Sequence, residues 1–135
     1  MAGNNIIKNV KNLSDQFQHV ILVGPIPPMN IAVHKEALAN YGYPGIPSDH
    51  FREKAAPILK IFKQVEKLGL PNVTVVFPHL ETCDTYRVGR CIGFLNGSHV
   101  YADPVHVTKY GQYILYRSLF ELISTFENTL VDEQN

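Results

Sequence analysis

The sequence predicts an α/β domain in which helices cover a parallel sheet on both faces. Three observations lead there. Val20 to Val23 is an uninterrupted apolar run and Val73 to Phe77 a second run broken only by Thr74, both rich in β-branched residues, the pattern of strands buried on both faces. Around them, apolar residues recur at helical spacing, and Gly and Pro mark the junctions. Strands alternating with helices are the order of a parallel sheet.

The elements follow in order. Ile6, Ile7, Val10, Leu13 and Phe17 share one face of a predicted helix from Ile6 to Phe17. The strand Val20–Val23 ends at Gly24-Pro25, and the following "PIPPMN" cannot continue a ladder. "IAVHKEALANYG" predicts a short helix ending at Gly42, followed by the turn-rich "YPGIPSDH". Ser48 or Asp49 is placed to cap a helix from about Phe51 to Leu68, with Ala55, Ile58, Leu59, Phe62 and Val65 on its apolar face. Pro57 is a candidate kink, and Gly69 stops the helix. The strand Val73–Phe77 is followed by a cysteine-containing loop and an extended "HVYAD". Thr108 then caps a last helix, from about Lys109 to Asn128. Two strands are few for a sheet that usually holds about five or six. Either short strands hide in the loops or the chain is part of a larger sheet.

Composition narrows the function classes. A chain of 135 residues suits one domain, read here as 1–135. Apolar residues at 45% and charged residues at 18% are those of a folded chain. Twelve basic and twelve acidic side chains cancel, so no basic excess points to nucleic acid. No apolar run reaches the roughly 20 residues of a membrane span, and "MAGNNIIKNVKN" lacks the apolar core of a signal peptide. The six histidines and two cysteines show no ligand spacing, so no metal is expected.

Cys83 and Cys91 flank "DTYRVGR" and read either as two free thiols or as a disulfide closing a small loop. Asn12, Asn72 and Asn96 each begin an N-x-[ST] sequon, a mild lean toward a secretory setting.

The chemistry-bearing segment is "YADPVHVTKYGQYIL", Tyr101 to Leu115. Asp103 precedes His106 by three residues, close enough on a turn for the side chains to meet. In a Ser-His-Asp site the carboxylate accepts the imidazole Nδ1–H and orients the ring, while Nε2 takes the serine proton. Their place, on a loop before a helix cap at the end of the last sheet segment, is where ligands bind in open α/β sheets. On spacing alone a second reading stands beside it: Asp103 bonds turn amides and His106 is a surface residue.

"VYADPVHVTKYGQYIL" resembles the last sequence block of SGNH hydrolases, the GDSL esterase/lipase family, in which D-x-x-H is followed by an apolar residue, Ser or Thr, and Gly. Val107, Thr108 and Gly111 take those places. The nearest resemblance is to SGNH domains attached to acyltransferase-3 membrane acyltransferases, which share the "ILVGPIPP" strand and a cysteine pair before a tyrosine-rich D-x-x-H segment. It covers about Val20 to Ile123. It implies a partial three-layer α/β/α sandwich with a mostly parallel sheet, its amino-terminal half missing. It also implies a Cys83–Cys91 disulfide, with Cα atoms about 4.4–6.8 Å apart, and an extracytoplasmic or lumenal position.

The family's G-D-S block, which carries the nucleophilic serine, does not occur in the chain. "GNN" at Gly3 to Asn5 looks like the family's G-x-N block but reads better as coil before a helix. Ser48, in "PSDH", is explained as a cap; Ser98 and Ser118 lack a Gly-rich elbow. The resemblance therefore implies the Asp/His-bearing part of an ester hydrolase or O-acyltransferase, inactive alone. His106 would be general base and then acid, and Asp103 its orienter. The substrate would be an acyl ester, with a carbohydrate or other polar acceptor and no cofactor. In full-length relatives a membrane acyltransferase domain is the partner. The alternatives are a degenerate, non-catalytic SGNH-like module and a small domain of another family in which D-x-x-H is coincidence.

Overall fold

The computed structural model describes residues 2–30 and 44–134. The helix expected over 31–42 lies outside the described residues. In chain order come α1 (Ala2–Gln16), β1 (Val20–Val23), β2 (Gly45–Pro47), α2 (Ser48–Lys67), β3 (Val73–Val76), a 3₁₀ turn (Pro78–Glu81), β4 (Arg90–Ile92), β5 (Phe94–Leu95), β6 (Ser98–His99), α3 (Lys109–Leu115) and α4 (Arg117–Gln134).

The protein is mixed α/β. β1 and β3 pair in parallel, with Val20 opposite Val73 and Val23 opposite Val76. The intervening crossover includes α2, which packs on β3 and also meets α1. These are the two strands legible as apolar runs, yet they are not buried on both faces. Val20, Ile21 and Leu22 are half-buried and Val23 is exposed. Among the described residues the parallel sheet holds only these two strands, so each keeps an outer edge without a neighbouring strand.

The other strands are short antiparallel pairs hidden in the loops. β2 pairs with β4, Ile46 opposite Cys91, and β5 forms a hairpin with β6. Pro44 and Pro47 flank and end β2, which made its segment read as turn. Its Pro47 fits because the pairing stops there, where a missing donor costs little.

The main core gathers around this second layer. Phe51, Ala55 and Leu59 of α2 meet Ile46, the two cysteines, Ile92, Leu95, Val100, Tyr101, Ile114 and Leu115. The α2 face has the predicted spacing, continuing to Phe62 and Val65. The helix begins at Ser48, three residues earlier than expected, with Pro47 at the N-cap and no side-chain cap. Neither Ser48 nor Asp49 caps it. The Ser48 hydroxyl donates to Asp84 Oδ1 at 3.0 Å instead, because the cysteine loop folds over the helix start. The helix runs through Pro57, which lies on its exposed side.

Two further expectations change. Gly3 to Asn5 are helical, inside α1, and a Cβ on Gly3 would press on Ile61 of α2. The segment is not coil. The single last helix is two, broken at Tyr116 (φ −108°, ψ 19°). α3 drives Ile114 and Leu115 into the core, whereas α4 leaves Phe120, Ile123 and Val131 exposed and is tied at its start by Ser118 donating to Glu81 at 2.6 Å. The two pieces serve different surroundings, and the backbone turns between them.

Candidate functional site

Asp103 and His106 sit on a loop closed by a short ladder. Tyr101 pairs with Val107 in an antiparallel bridge, and the Ala102 amide donates to the His106 carbonyl at 2.8 Å. The five residues between Tyr101 and Val107 therefore form a tight, exposed turn. Tyr101 anchors its base at 2% exposure, and burial pushes its phenol pKa well up.

Within the turn Asp103 does two things at once. Its Oδ1 accepts from the amides of Val105 (2.9 Å) and His106 (2.8 Å). Its Oδ2 lies 2.8 Å from Nδ1 of the His106 ring. The backbone bonds that shape the turn thus aim the second oxygen at the imidazole, and the two readings of D-x-x-H turn out to be compatible. The amides of Val105 and His106, then the imidazole, hold the Asp103 carboxyl below the usual carboxylate range. A carboxylate on Nδ1 selects the tautomer with its proton there, leaving Nε2 as the acceptor. The side chains are 49% and 76% exposed, so this nitrogen is open to an incoming group.

Three contacts fix the loop. Thr108 caps α3, accepting from the Gly111 amide at 2.9 Å while its hydroxyl donates to the His99 carbonyl at 2.6 Å. The Thr108 amide donates to the Val100 carbonyl at 3.0 Å. From the other side, the Met29 amide donates to the Pro104 carbonyl at 2.7 Å. The last contact binds the proline-rich loop that follows β1 to the turn that holds Asp103 and His106.

The serines weighed as nucleophiles go elsewhere. Ser48 is buried and bonded to Asp84, Ser118 is bonded to Glu81, and Ser98 lies on the β5–β6 hairpin. Among the described residues, Asp103 is the sole hydrogen-bond partner of the His106 ring. Among those residues, too, no three His, Cys, Asp or Glu side chains converge as a metal site, and no helix is long and apolar enough to cross a membrane.

Sequence reasoning missed one cluster. Cys83 and Cys91 form a disulfide (S–S 2.03 Å), and the loop they close is organised by Asp84, which pairs with Arg52 of α2, accepts from Ser48 and the Gly89 amide, and stands at φ +59°. The Arg52 guanidinium, above all, lowers the Asp84 pKa. A single acid between the cysteines gave no periodic signal for this role. The cysteine Cα atoms lie 3.9 Å apart, closer than expected. Bonds from Ile92 to Thr82 and from Asp84 to Arg90 flank them, making them a non-hydrogen-bonded antiparallel pair, where side chains approach most closely.

The chain matches the family described as SGNH domain (fused to AT3 domains) over residues 2–119. The match starts well before Val20, so α1 belongs to the family's pattern. No curated protein and no solved structure matches the chain.

Proposed function

From the premise that the chain belongs to the family of SGNH domains fused to AT3 domains, we propose that it is the Asp/His-bearing part of an ester hydrolase or O-acyltransferase domain. The observation that carries this reading is the 2.8 Å contact between Asp103 Oδ2 and His106 Nδ1, which leaves Nε2 open to solvent. In this role His106 takes the proton of an attacking hydroxyl and returns it to the leaving alcohol, and Asp103 orients the ring and stabilises the imidazolium. The substrate is an acyl ester, with a carbohydrate or another polar acceptor receiving the acyl group. No cofactor enters, because the acyl group passes through a serine ester. The AT3 domains to which relatives are fused would supply the membrane partner, with this domain on the extracytoplasmic side; the disulfide supports that side.

The chain, read as one partial domain over 1–135, is inactive alone in this proposal. The engagement of Ser48 and Ser118 with Asp84 and Glu81 supports that. The test is nitrophenyl acetate hydrolysis by the chain alone and by the chain joined behind a segment carrying a relative's G-D-S block. His106-dependent turnover is expected only in the joined form. A His106-dependent burst from the chain alone would show that one of its own serines acts. A joined form that folds yet gives no turnover, with or without His106→Ala, would favour a non-catalytic module.

A further inference from the structure

The three sequons differ sharply once placed in the fold. Asn72, in the turn just before β3, reaches the carboxyl end of α1: its Nδ2 donates both protons, to the carbonyls of Ser14 (2.7 Å) and Phe17 (2.9 Å). A glycan on that nitrogen would remove one donor and wedge a sugar between the two elements. Asn12 lies in the body of α1, and the hydroxyl of its sequon serine, Ser14, is committed to the Lys11 carbonyl at 2.8 Å. Asn96 occupies the exposed tip of the β5–β6 hairpin. With Gly97 it forms a two-residue turn in which both φ angles are positive, +53° and +78°. That is the type I′ geometry favoured by Asn-Gly. Asn96, Gly97 and Ser98 are all exposed.

We infer that Asn96 is the N-glycan acceptor of this chain. A glycan needs a surface loop, where its bulk displaces nothing, and of the three sequons only that of Asn96 lies on a turn with every residue in solvent. In the transfer, Nδ2 of Asn96 bonds to the anomeric carbon of a sugar carried on a polyprenyl diphosphate. The sugar–oxygen bond breaks, the diphosphate leaves with the bonding pair, and one amide proton goes to base in the transferase. The inference rests on the extracytoplasmic placement proposed above. The experiment removes that dependence by sending the chain through a secretory pathway behind a cleavable leader.

The secreted chain is treated with a peptide amidase that converts a glycosylated Asn to Asp in heavy-oxygen water, and the label in excess of that from spontaneous Asn-Gly deamidation in a parallel incubation without the amidase is mapped by mass spectrometry. One glycan is expected, with the label at position 96, and Ser98→Ala should remove it. That variant destroys the sequon while leaving the left-handed Asn96 in place, so loss of the glycan cannot be blamed on the turn. A secreted chain without a glycan, a label at position 12 or 72, or a glycan that survives Ser98→Ala overturns the inference.

Discussion

Gly111 approaches Val100 so closely that a Cβ on Gly111 would stand 1.9 Å from the Val100 carbonyl oxygen. The same carbonyl receives the Thr108 amide, so the start of α3 and the strand leading into the Asp103 turn are pressed together at this point. Overpacking a tight core costs about 1–3 kcal/mol, and more when the obstacle is backbone. Gly111→Ala should therefore destabilise the chain by at least about 2 kcal/mol in urea unfolding. It should also shift the His106 ring resonances, because the cap at Thr108 must move. An alanine variant of unchanged midpoint would show that the contact is looser than this geometry.

How much of this was legible follows the length of each signal. The α2 face, the β1 and β3 runs, the stop at Gly69 and the Thr108 cap were readable because each repeats over several residues or has a fixed offset. β2, β4, β5 and β6 hold two or three residues each and carry no period, and Pro44 and Pro47 disguised β2 as turn. The D-x-x-H pair was visible as spacing, whereas its support was not. Met29 reaching Pro104, and Asp84 bridging to Ser48 and Arg52, join residues dozens of positions apart. Ser48 looked like a cap because a serine before a helix usually is one; a tertiary partner took its hydroxyl instead.

The Cys83–Cys91 bond closes a loop of nine residues, counting both cysteines. Chain-entropy arithmetic for such a loop gives about 2–3 kcal/mol. Replacing both cysteines by alanine, or reducing the bond, should lower the unfolding free energy by that amount. Cys91 is fully buried against Ile46 and Ile92, so the core should loosen locally around β2 and β4. Hydrogen exchange at the Ile92 amide, bonded to the Thr82 carbonyl, reads that loosening directly. Equal protection in the reduced and oxidised chain would show that the ladder holds without the bond.

The Asp103 turn should survive well into acid. The Val105 and His106 amides hold its carboxyl below the usual range, so the folded pKa is lower than the unfolded value of about 3.9. A group depressed on folding contributes stability that is present above its unfolded pKa and is lost as pH falls through the folded one. The carboxyl carbon resonance of Asp103 and the amide protons of Val105 and His106 should move together, with a midpoint below about 3.9. A midpoint at or above that value would mean that the amide bonds do not persist in solution.

Asp103→Asn separates the two jobs that the aspartate performs. Asparagine keeps a carbonyl oxygen for the amides of Val105 and His106, so the turn and the stability should change by less than about 1 kcal/mol. Its other terminus is now an NH₂ group, a donor facing Nδ1. The ring answers by moving its proton to Nε2, the nitrogen that must be bare to act as base. In the form joined to a G-D-S segment, kcat should fall about 10⁴-fold, the loss associated with the wrong tautomer in a serine triad. KM should change little, because in the proposed role the aspartate acts through the His106 ring. Nitrogen-15 shifts of the His106 ring report the tautomer without any catalysis, so the chain alone supplies half of the test. If the proton stays on Nδ1 in the variant, Asp103 does not set the tautomer, and its role is confined to shaping the turn.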